Sequence, residues 1–249
     1  MTRSRPRRFA ASLDLSYRRA MVSPIDRATA VTISTEAGPI AARHWTTETC
    51  HTLFVLGHGA GAGMQHPFMV AIAAALVERG VATLRWEMPA FTAGRRLADR
   101  PAVVRPLARA ACAFAPTLAP GLRLIAGGKS MGGRMTSEAQ AAAPIPGLAG
   151  LAFLGFPLHP AGAPAVTRAA HLDDVAVPML FVSGDRDALA EPGLLAGVIA
   201  RLGARATLRT IPGANHGLEV GRRAGLDPIA IAAGEIATWA GALPAPPVP

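Results

Sequence analysis

The chain has 249 residues, 51% of them hydrophobic and only 16% charged, so it can bury one substantial core and cannot be disordered throughout. Its apolar runs, such as 148–158, are too short and too rich in glycine to span a bilayer, and no N-terminal apolar stretch resembles a secretory signal. A cytoplasmic protein with no membrane partner is therefore expected. The formal charge of +9 comes from 25 basic residues of which only Lys129 is lysine, in a background of alanine, glycine and proline; this is compositional bias, and no nucleic-acid partner is expected from it.

Arg3, Arg5, Arg7, Arg8, Arg18 and Arg19 crowd the first twenty residues, where acidic side chains are almost absent. Residues 1–28 are read as a basic, flexible leader. A basic arm for nucleic acid or membrane and an organellar transit segment are the alternatives, with Met21 an alternative start. Residues 29–243 are expected to form a single α/β domain, and residues 244–249 a proline-rich tail. The oligomeric state is open.

In chain order, 31–35 and 40–45 read as two short strands around the turn residues Gly38 and Pro39. Strand 52–56 runs into the glycine-rich stretch 57–63, and a helix is expected over 67–79, stopped by Gly80. Strand 81–86 and helix 101–114 follow. Strand 122–126 leads into Gly127-Gly128-Lys129-Ser130-Met131-Gly132-Gly133, then helix 134–143. Strands 148–154, 178–182 and 206–211 alternate with helices over 193–202 and 227–242. Strands that are apolar throughout, alternating with helices, predict a mostly parallel sheet covered on both faces. The proline-broken segment between Phe156 and Val177 leaves little room for a separate lid domain. Cys50 and Cys112 lack metal or redox spacing and are expected as buried free thiols.

Gly128-Lys129-Ser130-Met131-Gly132 fits G-x-S-x-G. A serine on a sharp strand-to-helix turn has a strained backbone crowded by neighbouring chain, and glycine at the flanking positions avoids the clashes. The helix N-terminus beside it favours a developing negative charge. A serine nucleophile needs a base, and the base an orienting carboxylate, each after a later strand. His216, in the loop after the last strand, is the candidate base. The acid is Asp187 or Asp185, both following the strand at 178–182; Asp187, slightly farther out, is better placed to reach His216, with Asp185 capping the turn. Asp173 and Asp174 precede that strand and belong to the wrong end of the sheet. The backbone N–H groups of Ala60 and Met131 are the expected oxyanion-hole donors. No G-K-[ST] follows the glycine run, which argues against a phosphate loop. Neither a metal nor an organic cofactor is expected. Lys129, Arg134, His159 and Trp86 are candidates to border the pocket.

Together these residues resemble the α/β-hydrolase superfamily, in particular its dienelactone-hydrolase-like members, over roughly residues 31–242. The runs 58–63, 127–134 and 156–160, with 178–182 before the acid, are most similar to a subgroup of small hydrolase-like proteins that includes testis-expressed and histone-acetyltransferase-complex homologues. The resemblance implies an α/β-hydrolase fold and an acid three residues after Gly184, which selects Asp187. Dienelactone hydrolases proper carry a cysteine nucleophile where this chain has Ser130. A small ester, thioester or amide is therefore the expected substrate, cleaved through an acyl-enzyme. Because some relatives act as scaffolds, a catalytically silent binding protein is the alternative.

Overall fold

The computed structural model describes residues 26–95, 98–221 and 224–244. Nearly all of the expected leader and tail, and with them the first-twenty arginine cluster and Met21, lie outside the described residues. Three residues assigned to the leader lie inside. Asp26 accepts a 2.6 Å hydrogen bond from the buried Arg85, and the Ala28 carbonyl accepts one from Arg43, so the chain is tied to the sheet from Asp26 onward.

Eight strands form one sheet: β1 Thr29–Ile33, β2 Ile40–Trp45, β3 Thr52–Gly57, β4 Val81–Trp86, β5 Arg123–Lys129, β6 Leu148–Leu154, β7 Met179–Gly184 and β8 Ala206–Ile211. Their order is β1-β2-β4-β3-β5-β6-β7-β8. The opening pair β1–β2 and the junction β2–β4 are antiparallel, and every other junction is parallel. The expected α/β-hydrolase architecture is the one observed. Helices α1 Pro67–Val77 and α6 Pro228–Ala242 cover one face, where Met69, Ile72 and Leu76 pack with Ala232, Ile236 and Ala240. Helices α3 Pro101–Leu118, α4 Met131–Ala142 and α5 Pro192–Leu202 cover the other through Leu107, Ala111, Met135, Leu195 and Val198. Strands buried on both faces explain why their sequences are apolar throughout.

Several elements differ from expectation. Helix α3 runs four residues past Phe114 and contains Pro106 and Pro116. Each proline removes a helical N–H, yet the stripe Val104, Leu107, Ala108, Ala111, Cys112 and Ala115 is buried against the sheet, and that packing outweighs the local cost. A short helix α2, Pro89–Thr92, and a 3-10 helix at Thr167–Asp174 occupy segments that read as irregular. Strand β5 continues through Gly127 and Gly128, which pair with Leu56 and Gly57 of β3. Both glycines have φ near +136°, and a Cβ on Gly128 would lie 2.1 Å from the Gly57 carbonyl oxygen. They read as a loop because this close strand contact admits no side chain.

The strand order reverses between β3 and β5: the chain passes from β3 outward to β4, then back across to β5. At such a reversal the loops leaving the carboxyl ends of the strands diverge and open a crevice. The segments after β3 and β5 are the glycine run and the G-x-S-x-G turn, which the topology thus places side by side.

Candidate active site

Ser130 sits between β5 and α4 at φ +49°, ψ −114°, one of only two non-glycine residues with positive φ among the described residues. Pairing of β5 with β3 and β6 holds the strand up to Lys129, and α4 begins at Met131, so the whole reversal falls on one residue. The helix can start there because Gly132 brings its Cα against β3. A Cβ on it would lie 2.4 Å from the Gly57 carbonyl oxygen.

Asp187 and His216 arrive from the loops after the neighbouring strands β7 and β8, which are laced together. The Arg186 N–H donates to the Ala214 carbonyl at 2.9 Å, and the Gly213 N–H donates to Asp185 Oδ1 at 2.7 Å. Gly184 packs so closely that a Cβ would meet the Ala214 carbonyl oxygen at 2.0 Å. Asp185 is therefore spent on holding the loop pair. Asp187 is left facing the imidazole: its Oδ2 and Oδ1 lie 2.9 and 3.0 Å from His216 Nδ1. Asp187 Oδ1 also accepts from the Leu189 N–H at 2.8 Å.

His216 Nε2 lies 2.9 Å from Ser130 Oγ. Nδ1 donates to the carboxylate, which leaves Nε2 of the neutral ring as the acceptor for the serine hydroxyl. The Asp187 side chain is fully buried and that of His216 is 23% exposed, so the ring's outer edge meets solvent while its partner is desolvated. Ser130, His216 and Asp187, far apart in sequence, thus form one line of hydrogen bonds.

Ala60 and Met131 line the same narrow cleft, together with His58, Met88, Phe91, Arg95 and Asp99. Met131 is the first residue of α4, so its N–H has no helical acceptor, and the Ala60 N–H has none among the described residues. None of the four side chains considered for the pocket border lines this cleft. Trp86 is fully buried, Arg134 pairs with Glu138, and His159 is covered and bonds the Pro160 carbonyl and Glu191. Lys129 turns inward to the His216 carbonyl. Asp173 pairs with Arg201 at the opposite end of β7. Among the described residues, no group of three or more His, Cys, Asp or Glu side chains is arranged to hold a metal ion, and none of the helices is long and apolar enough to cross a membrane. Cys50 and Cys112 are buried free thiols, and burial pushes the Cys112 thiol up to about 12.

Sequence reasoning did not single out Glu87 or Phe91. Glu87 is the acidic residue immediately after β4, at the carboxyl end of the sheet where the other site residues lie, and that position is the signal that could have found it.

The profile of a family described as an alpha/beta hydrolase domain matches residues 50–240. No curated protein sequence matches the chain significantly. Among solved structures, a serine hydrolase without a lid from Xanthomonas campestris is similar at TM-score 0.66 and 20% identity, over 88% of this chain and 97% of that one. A dienelactone hydrolase from Anabaena variabilis is similar at TM-score 0.69 and 18% identity, over 86% and 96%. The esterase domain of a Rhodothermus marinus protein is similar at TM-score 0.67 and 16% identity, over 87% and 99%. At these identities the likeness is one of fold.

Proposed function

The chain belongs to the alpha/beta hydrolase domain family, and from that premise we propose that it is a serine hydrolase cleaving a small ester, thioester or amide with Ser130, His216 and Asp187. One observation carries the proposal: the continuous hydrogen-bonded line from Ser130 Oγ through the imidazole to a buried carboxylate. In this reading His216 takes the hydroxyl proton as Ser130 Oγ adds to the substrate carbonyl, and Asp187 stabilises the imidazolium that forms. The oxyanion is received by the N–H groups of Ala60 and Met131. The tetrahedral adduct collapses as His216 protonates the leaving group, giving the acyl-Ser130 ester. Water, deprotonated by the same imidazole, then releases the acid and restores the serine.

The substrate class follows from the surroundings. The cleft beside Ala60 and Met131 is narrow and walled by Met88, Phe91 and the Arg95–Asp99 ion pair, which leaves room beside the proposed oxyanion donors for only a small group. The segment between β6 and β7 contributes only the 3-10 helix, so the site is open and varied small esters can enter.

Hydrolysis of short-chain p-nitrophenyl esters tests it. Wild-type protein should turn these esters over and react with a fluorophosphonate at Ser130, and Ser130→Ala should lose at least about 10⁴-fold in kcat. Equal rates in both proteins would remove Ser130 from the reaction. A folded wild-type protein that neither hydrolyses esters nor reacts with the probe would mark a silent binding protein.

A further inference from the structure

Glu87 and His58 lie at the carboxyl ends of the neighbouring strands β4 and β3, and both are buried. His58 Nδ1 is 2.8 Å from the Gly59 carbonyl oxygen. A carbonyl only accepts, so Nδ1 carries the proton. His58 Nε2 lies 2.7 Å from Glu87 Oε1 and 3.1 Å from the Met88 nitrogen. It either donates to the carboxylate or accepts from the Met88 N–H, and in both states Nδ1 keeps its proton. The carboxylate also accepts the Met64 N–H, at 3.2 and 3.3 Å, and the Glu87 N–H donates to the Ala41 carbonyl at 2.9 Å. Glu87, anchored on β2, thus grips the glycine run at both ends, His58 at its start and Met64 at its finish.

We propose that this pair is a positioning device for the oxyanion hole: Glu87 orients His58, and His58 orients the Gly59–Ala60 peptide. The proposal rests on the serine-hydrolase reading above. The peptide is trans, so its C=O and N–H point in opposite directions. Holding the Gly59 carbonyl toward the imidazole turns the Ala60 N–H the other way, where no acceptor among the described residues takes it, and Ala60 lines the same cleft as Met131. Gly59 lies beside the nucleophile, since a Cβ on it would be 3.7 Å from Ser130 Cβ. In a run as rich in glycine as 57–63 the peptide plane has little intrinsic preference, and two bonds to the Gly59 carbonyl set it: the longer one from the Ala62 N–H at 3.3 Å and the shorter one from the imidazole at 2.8 Å. The same hydrogen bond polarises the amide and makes the Ala60 N–H a better donor. A donor fixed in advance needs no reorganisation when charge develops, which is what gives such groups their effect on rate.

The test compares an oxygen ester with its thionoester. Sulfur is larger and a weaker acceptor, so a working oxyanion hole favours the oxygen substrate, and the ratio of the two kcat/KM values reads the hole and not the amount of folded protein. His58→Gln, which reaches Glu87 but not the Gly59 carbonyl, should lower that ratio and kcat about tenfold while KM stays within about twofold. His58→Asn, whose amide nitrogen takes the place of Nδ1, should restore most of the ratio. Glu87→Gln should fall between them. A wild-type ratio in His58→Gln, or no recovery in His58→Asn, overturns the proposal while Ser130 still reacts with a fluorophosphonate. A wild-type protein that does not react at Ser130 overturns the hydrolase reading itself, and the positioning pair with it.

Discussion

The ammonium of Lys129 donates a hydrogen bond to the main-chain carbonyl of His216, so the residue before the proposed nucleophile holds the loop that carries the proposed base. Gly155 leaves the space for this contact, since a Cβ there would lie 3.1 Å from Nζ and 3.0 Å from the His216 carbonyl oxygen. The chain's one lysine is thus turned into the protein and packed 5.7 Å from the centre of the Phe68 ring, not presented to an anionic acyl group. Desolvation lowers its pKa to about 8, against the pull of Asp187 and Glu219.

Replacing Lys129 by methionine should therefore separate two effects. Activity should fall about tenfold, mainly in kcat, because the imidazole loses one of its tethers. Stability should move with pH in a defined sense. The folded-state pKa lies below the unfolded one, so between about 8 and about 10.5 the unfolded chain binds more protons and wild-type stability rises with pH. Below about pH 8 the buried ammonium costs up to about 3 kcal/mol, offset in part by its hydrogen bond. Urea unfolding of both proteins from pH 7 to 10.5 should show the wild type gaining on Lys129→Met as pH rises, and parallel curves would rule out a desolvated ammonium.

The two aspartates of the β7 loop should give opposite results. Asp187→Asn presents an amide to His216 Nδ1, reverses the tautomer preference and should cost about 10⁴ in kcat. Asp185→Asn keeps an oxygen able to accept from the Gly213 N–H and should stay within about threefold of wild type. Steady-state esterase kinetics checks both, and a larger loss in Asp185→Asn would exchange their roles.

The sequence showed the α/β pattern because central strands buried on both faces must be apolar along their length, and the boundaries of β6 followed from it without change; those of the half-exposed β2 and β8 also match, set by the turn and loop residues that flank them. The positions of Ser130, Asp187 and His216 were legible for a related reason: each falls just past a recognisable strand, at the end of the sheet where a reversed strand order opens a crevice. Long-range contacts were not legible. The inward turn of Lys129 depends on space left by Gly155, and the His58–Glu87 pair depends on the lateral adjacency of β3 and β4. Glycines 127 and 128 misled because local rules assign glycine to turns, whereas here neighbouring strands press on both.

Those contacts predict that Gly128→Ala cannot be accommodated. Its Cβ would need the space of the Gly57 backbone at 2.1 Å, and φ near +136° is strained for any side chain. Backbone in a central parallel pair cannot yield as a flexible side chain would. A loss of more than about 4 kcal/mol is expected, read as insoluble expression or a midpoint lowered by at least about 10 °C. Gly193→Ala, at the start of α5 with open space around it, should change stability by less than about 0.5 kcal/mol and serves as the control.

Ser130 itself should be a point of stored strain. At φ +49° and ψ −114° its Cβ crowds the backbone, in a conformation that costs a non-glycine residue about 1–3 kcal/mol. The strand pairs of β5 and the packing of Gly132 on Gly57 force that geometry, so it persists without the hydroxyl. Ser130→Gly should relieve the strain at the expense of about 0.5–1 kcal/mol from the freer unfolded chain. Ser130→Ala removes the same hydroxyl and keeps the strain. Both variants should be inactive, and His216 remains held by Asp187 and Lys129 in each. Calorimetry should then place Ser130→Gly above Ser130→Ala by about 2–4 °C, equivalent to about 1 kcal/mol for a domain of this size. If the alanine variant melts at the same temperature or higher, the strand-to-helix turn is relaxed and its geometry adds nothing to the cost of holding Ser130 in place.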